Sequence, residues 1–247
     1  MNQRQAFIIV GALAIVALTA GCGGGGAANA GSSAKKTGSS ASAAPSSAPA
    51  WSGSGVWGNL IKLNNFSLVT NITVGDGTSG GTETTTIQED YFSPTNYKMV
   101  INTHSGSPPV TLTFAGGHYY FDSGTQTFAL GTNLQGMADV YVSMGASAWQ
   151  DIYDSSTAAY TGSCTQAGRA GNAYHLSATV PIGAVSGTIS GNACLDKATG
   201  APLYSDLKWN MSTGSGKSTS FDDRLTVLGI GNVSVIPAPA GAVPFNQ

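Results

Sequence analysis

The sequence predicts a mainly β, antiparallel domain with one short helical insertion, and three observations predict it. From Phe66 onward apolar and polar residues alternate through most of the chain, the period of strands with one dry face. Gly, Asn, Asp, Ser and Pro turn signals recur at short intervals, which favours pairing of sequence neighbours. Between Leu134 and Tyr153 the period switches, once, to spacings of three and four.

Taken in order, Phe66, Leu68, Ile72 and Val74 alternate with Ser67, Asn71 and Thr73 to make the first strand. Gly75-Asp76-Gly77 through Gly80-Gly81 turns the chain into a Thr-rich strand, Thr82 to Tyr91. Ser93-Pro94 breaks that strand, and Tyr97, Met99 and Ile101 mark the inward side of the next. After the turn at Ser105 to Pro109 come Val110, Leu112 and Phe114, then short strands at His118 to Phe121 and Thr125 to Leu130. In the insertion, Leu134, Met137, Tyr141, Met144, Trp149, Ile152 and Tyr153 fall on one helical face, with Gly145 dividing two short helices. Strands resume at Tyr174 to Val180, Thr188 to Leu195, Leu203 to Met211, Ser218 to Leu228 and Val233 to Ile236, and Pro237 to Pro244 reads as an extended tail.

The N-terminus reads differently. Arg4 and the apolar run Phe7 to Leu18 form a short export signal, too short to cross a hydrocarbon core of roughly 30 Å with ease. Leu18-Thr19-Ala20-Gly21-Cys22 resembles a bacterial lipobox, with Thr19 standing where Leu is commonest. That resemblance implies removal of residues 1–21, lipidation of Cys22 and attachment to a membrane; an ordinary secretory signal is the competing reading. Residues 22–55 read as the lipidated Cys and a flexible linker, because Ala27 to Gly55 is almost wholly Gly, Ala, Ser, Thr and Pro, with Lys35 and Lys36 its only charges. Such a coil reaches roughly 30 Å, enough to hold a domain clear of a membrane surface. The expected organisation is a β domain over residues 56–236 and a Pro-rich tail over 237–247, exported and held on the extracytoplasmic side.

Composition and motifs narrow the function. A formal charge of -2 without a basic patch argues against nucleic acid. His104, His118 and His175 fall on strands or turns with no linked nucleophile, and no Gly-x-Ser-x-Gly elbow occurs. Gly214-Ser215-Gly216-Lys217-Ser218 has the end of a phosphate loop, but Met211 stands where its first Gly belongs and a strand follows instead of a helix. Adjacent carboxylates in Glu89-Asp90 and Asp222-Asp223 fall on opposite strand faces, so neither pair builds a two-carboxylate site. No metal spacing or cofactor fingerprint appears, and the expectation is a non-enzyme without cofactors. With Cys22 acylated, Cys164 and Cys194 are left as a pair in an exported chain. A disulfide would close a loop of about 30 residues and contribute roughly 3 kcal/mol; free thiols and a metal site are the alternatives.

Several phrases of the chain resemble the LolA-like lipoprotein fold, shared by lipoprotein carriers and lipid-binding lipoproteins of the LppX type. Leu60 to Val74 is similar to its opening helix and strand, Tyr91 to Met99 to its second hairpin, and Leu195 to Leu203 to a hairpin turned by Asp-x-x-Thr-Gly. The resemblance implies a curved antiparallel sheet of about eleven strands forming an incomplete (half) barrel, its mouth covered by a short helical lid. It also implies a lipid or acylated ligand. Phe66, Leu68, Tyr97, Met99, Phe114, Phe128, Leu207, Trp209 and Met211 are the candidates for the concave face, capped by Met137, Met144 and Trp149. Two readings stay open. A half-barrel either keeps a ligand space or fills it with side chains, which would suit an envelope interaction or sensory module instead. Replacing Cys22→Ser should move the protein from the membrane to the soluble fraction, since stable anchoring takes two or more acyl chains; fractionation with the signal intact and the mutant still membrane-bound would indicate a signal anchor.

Overall fold

Short turns and alternating side chains make each strand pair with its neighbour in sequence, and, apart from a two-residue C-terminal strand at one edge, the topology follows that rule with one exception. The computed structural model describes residues 49–76, 82–104, 106–131, 150, 152–182, 185–212 and 218–245. The elements are α1 (Val56–Lys62), β1 (Phe66–Asp76), β2 (Thr82–Ser93), β3 (Asn96–Asn102), β4 (Val110–Ala115), β5 (His118–Asp122), β6 (Thr127–Ala129), β7 (Thr157–Gln166), β8 (Arg169–Ile182), β9 (Val185–Asp196), β10 (Pro202–Ser212), β11 (Ser218–Ile230) and β12 (Val243–Pro244). They form one 12-stranded sheet in the order β12-β6-β5-β4-β3-β2-β1-β11-β10-β9-β8-β7. The exception is the pairing of β1 with β11, which joins a six-strand meander to a five-strand one. The sheet does not close, and it matches the incomplete, curved half-barrel expected from the sequence, with β12 added at one edge.

Register decides which side chains share a face. Across the sheet, Leu68 stands opposite Glu89, Glu89 opposite Met99, Met99 opposite Leu112, Leu112 opposite Phe121 and Phe121 opposite Phe128. A second row runs Phe66, Tyr91, Tyr97, Phe114 and Tyr119. In the other half, Phe221 pairs with Val74 and Trp209, and Asp223 with Ile72 and Leu207. All nine sheet candidates therefore occupy register positions on one face, the inner one.

Above that face sits the core. Val56 and Leu60, one helical turn apart on α1, are buried with Ile152 and Tyr153 from the helical turn at 152–155. They pack on Phe66, Leu68, Leu176, Ile189, Leu207, Leu225 and Val227, which places the core over β8 to β11 and β1. Burial of each such Leu contributes roughly 1.5–3 kcal/mol. Gln150 ties the two helical pieces together: its Oε1 accepts from the Trp57 N–H at 3.0 Å and its Nε2 donates to the Gly53 carbonyl at 2.9 Å. The packed chain starts before α1, since Trp51 lies edge-on to Tyr174 at 5.1 Å and donates its Nε1–H to the Ser156 carbonyl at 3.1 Å.

Three features depart from the sequence reading. Val233 to Ile236 is not a strand. It is an extended segment held by two asparagine side chains, each donating to and accepting from one backbone residue: Asn65 to Val233 at 2.6 and 2.7 Å, and Asn96 to Ile236 at 2.8 Å both ways. Val233 and Ile236 meet their backbone hydrogen bonds without a ladder, so apolar alternation there was no sign of pairing. Conversely β7 is a ten-residue edge strand that apolar periodicity did not reveal, because most of its side chains are exposed. The Pro-rich tail is extended as expected and docks: β12 pairs in parallel with β6, and Phe245 meets Phe128 edge-on at 5.4 Å. The expected lid residues Met137, Met144 and Trp149 lie outside the described residues, as do Cys22 and the signal segment.

The turn Asp196 to Gly200 shows why its residues are there. Asp196 Oδ1 accepts from the backbone N–H groups of Ala198 and Thr199, both at 2.9 Å, and from the Thr199 hydroxyl at 3.1 Å. Gly200 completes the turn at φ 71°, where a side chain is strained. Arg169 grips both oxygens of the same carboxylate, through Nε to Oδ2 and through a second nitrogen to Oδ1 at 3.1 Å. Burial alone would raise this carboxyl, but the Arg169 bond and the turn donors outweigh it and hold it at about 2.

Cys164 and Cys194 form a disulfide, with Cα atoms 6.1 Å apart. It ties β7 to β9 across β8, and Gly171 on β8 lies under it. A Cβ on Gly171 would stand 2.6 Å from the Cys194 sulfur, 2.7 Å from the Cys164 sulfur and 2.8 Å from the Leu195 carbonyl oxygen. Gly171→Val should therefore mimic loss of the disulfide, lowering stability by roughly 3 kcal/mol or more. Thiol labelling under native conditions, together with denaturant unfolding, checks this; a Gly171→Val protein with the bridge intact and unchanged stability would refute the steric argument.

Candidate ligand-binding face

The inner face has two parts. Where α1 and the 152–155 turn cover it, the candidates Phe66, Leu68 and Leu207 are closed core, with Leu68 and Leu207 at 0% exposure. These three are enclosed by protein, and Phe66 also meets Tyr91 outside the buried set. Tyr97, Met99, Phe114 and Phe128 are half-buried on β3, β4 and β6, outside the core cluster. Trp209 is partly buried at the edge of the cluster. Met211 shares the register of this face, and its side chain lies outside the described set.

An aromatic row runs across the less covered half. Phe66 stacks on Tyr91 at 4.8 Å, Tyr91 on Tyr97 at 6.2 Å, Tyr97 meets Phe114 at 5.6 Å, and Phe114 meets Tyr119 at 4.5 Å. The hydroxyls of Tyr97 and Tyr119 bond to one another at 2.7 Å; Tyr119 is buried, and Tyr91, Tyr97 and Phe114 are half-buried. Each ring sits on a different strand, so the row exists only because four registers agree. A flat apolar strip with few polar interruptions suits an extended hydrocarbon chain.

Sequence reasoning missed the polar groups on this face. Glu89 and Asp223 are the inward members of their acidic pairs, as strand alternation requires, and neither is in an ion pair: among the described residues the salt bridges are Arg169–Asp196 and Arg224–Asp206. Burial pushes the Glu89 carboxyl up to about 7. Burial, with the adjacent Asp222 charge second, pushes Asp223 up to about 8. Buried side-chain atoms without a hydrogen-bond partner are Asn172 Oδ1, Trp209 Nε1 and Asp223 Oδ1. Trp209 faces Phe221 across the β10–β11 pair, two residues from Asp223, so the last two atoms belong to diagonal neighbours. The alternation of Asp222-Asp223 within an otherwise apolar-inward strand was the available signal.

The remaining motifs are accounted for. Of Gly214-Ser215-Gly216-Lys217-Ser218 only Ser218 is among the described residues; it pairs with Ser212 and opens β11, so a strand follows the motif instead of a helix. His104 Nε2 bonds the Thr86 hydroxyl at 3.0 Å, and His175 meets Asn192 at 3.2 Å, both at exposed positions. Among the described residues no three His, Cys, Asp or Glu side chains gather as a metal site.

No protein-family model and no curated protein matches the chain. Solved structures do. MucB, solved in complex with MucA(peri), is 14% identical with a TM-score of 0.37, over 79% of this chain. This chain spans 62% of that protein's length. A LolA superfamily protein from Nitrosomonas europaea is 9% identical with a TM-score of 0.29, over 75% of this chain and 94% of that one. A DUF1329 family protein from Desulfovibrio piger is 10% identical with a TM-score of 0.25, over 70% and 92%. These are likenesses of fold. The half-barrel itself rests on strand order and register, and the site on the side chains above.

The buried acids give stability a definite pH dependence. From ordinary values of 4.5 and 3.8, Glu89 and Asp223 are raised to about 7 and about 8, so the folded chain holds protons that the unfolded chain has lost. Their contribution is present in full below about pH 4 and is lost as pH rises through these values. Asp196 has the opposite sign, stabilising above its unfolded value of 3.8 and failing as pH falls toward about 2. Thermal midpoints should thus peak in mildly acidic solution and decline toward pH 8, and Asp223→Asn should flatten the decline; equal slopes in mutant and parent would show that Asp223 ionises freely.

Proposed function

We propose that the protein is a membrane-anchored extracytoplasmic lipoprotein, without catalytic activity, whose half-barrel binds or transfers a lipid or acylated molecule. One observation carries the reading: the half-buried strip of Tyr91, Tyr97, Met99, Phe114 and Phe128 lies beside a fully packed core and is not part of its buried set. Acyl chains laid along such a strip gain about 0.8 kcal/mol per buried CH₂. Cys22 and a linker with a reach of roughly 30 Å keep the face close to the membrane from which such a ligand comes. Release follows when whatever covers the ligand opens.

The second reading is an envelope interaction or sensory module with a filled core, and the complete burial of Leu68 and Leu207 favours it. The two separate on mutation. Leu207→Ala should cost about 2–5 kcal/mol of stability as a core truncation. Met99→Ala and Phe128→Ala should cost less and instead weaken retention of a fluorescent acyl probe several-fold. Native mass spectrometry of detergent-free protein should show a bound lipid-sized mass. A protein that carries no lipid and ignores the probe excludes the carrier reading and leaves the interaction module.

A further inference from the structure

Asp223 and Trp209 sit where a half-barrel of this kind needs only hydrocarbon. Each presents a buried polar atom without a partner, Oδ1 and Nε1. A buried orphan of that kind is costly, and two adjacent ones require an explanation. Their register makes them diagonal neighbours across β10 and β11, with Cβ atoms roughly 7–8 Å apart in such pairs. One small polar group between them can reach both. Around them Ile72, Val74, Phe221 and Leu207 are apolar.

We infer that Asp223 and Trp209 together form a polar anchor for the head of an acyl ligand, and that this head is neutral and carries both a hydrogen-bond donor and an acceptor, as a glycerol hydroxyl beside an ester does. The inference rests on the acyl-binding reading above. Trp209 supplies only a donor, so it selects an acceptor atom. Asp223 in its protonated form supplies one donor and an acceptor, and its environment favours that form: burial first, then the charge of Asp222. No Lys or Arg shares the inner register among the described residues. Arg224, next in sequence, points to the other face and pairs with Asp206 at 3.0 Å. Tyr153 reaches this region with its hydroxyl bonded to Ser205. A carboxylate or phosphate head would therefore meet acids and no cation, which excludes it.

The test is displacement of the fluorescent acyl probe from the full-length protein by four ligands with matched chains: monooleoylglycerol, oleic acid, oleylamine and octadecene. Monooleoylglycerol should displace at about tenfold lower concentration than octadecene, a factor that matches one to two good hydrogen bonds. Trp209→Phe and Asp223→Leu should each raise the concentration needed for monooleoylglycerol by about fivefold to tenfold and leave octadecene unchanged. Asp223→Asn, which keeps a donor and an acceptor, should retain most of the preference. Equal displacement by all four ligands, preference for the acid or the amine, or equal losses for monooleoylglycerol and octadecene in the variants would each overturn the anchor while leaving acyl binding intact. A parent protein that does not bind the probe at all overturns both.

Discussion

The pairing of β1 with β11 is the constraint on which the rest depends. It runs from Phe66 opposite Ile230 to Asp76 opposite Thr219 and links the two ends of the domain. Without it the chain is two hairpin meanders, each with two open edges, and neither has an inner face of its own. Closing so long a loop carries an entropic cost that grows slowly with length, and it must be met before the non-local contacts form. The compensation is visible at the junction. Leu68 and Val227 face one another there at 0% exposure, and α1 packs over them.

That junction also divides the inner face into core and site. The helical pieces α1 and 152–155 lie over β8 to β11 and β1, where Leu176, Ile189, Leu207 and Leu225 are buried. On the meander β2 to β6, Tyr91, Tyr97, Phe114 and Phe128 stay half-buried outside that buried cluster, whereas Tyr119 is buried. A closed core and a half-buried aromatic strip thus lie side by side on one sheet. The C-terminal segment contributes to the same division: Asn65 and Asn96 hold Val233 and Ile236 along one end of the sheet before β12 joins the β6 edge. An edge covered in this way is less open to pairing with other chains.

Two kinds of polar residue on this scaffold behave in opposite ways. Asp196 is buried with its Arg169 partner and three turn donors, and it keeps its charge. Asp223 and Glu89 have no such partners, and burial of their carboxyls raises both, to about 8 and about 7. The first arrangement fastens a hairpin. The second leaves acids without an ion-pair partner on an otherwise apolar face, where burial favours the neutral form.

Much of the architecture was legible because amphipathic strands announce themselves. Phe66 to Val74, Tyr97 to Ile101 and Leu203 to Met211 alternate cleanly, and each is a strand whose apolar side faces in. The disulfide was legible as the pair left once Cys22 is set aside, and Asp196 to Gly200 as a turn by its own local bonds. Where periodicity carries no burial the reading failed: β7 pairs along an exposed edge, and Val233 to Ile236 alternates without pairing. By itself the sequence determined strand identity, turn positions and which side of each strand is dry, because these depend on residues two to four apart. Only the tertiary structure decided that Leu68 and Leu207 are core while Met99 and Phe128 are not, and that Trp209 and Asp223 meet without partners. Those outcomes depend on which strands lie side by side and where α1 rests, and no local pattern encodes a neighbour more than a hundred residues away.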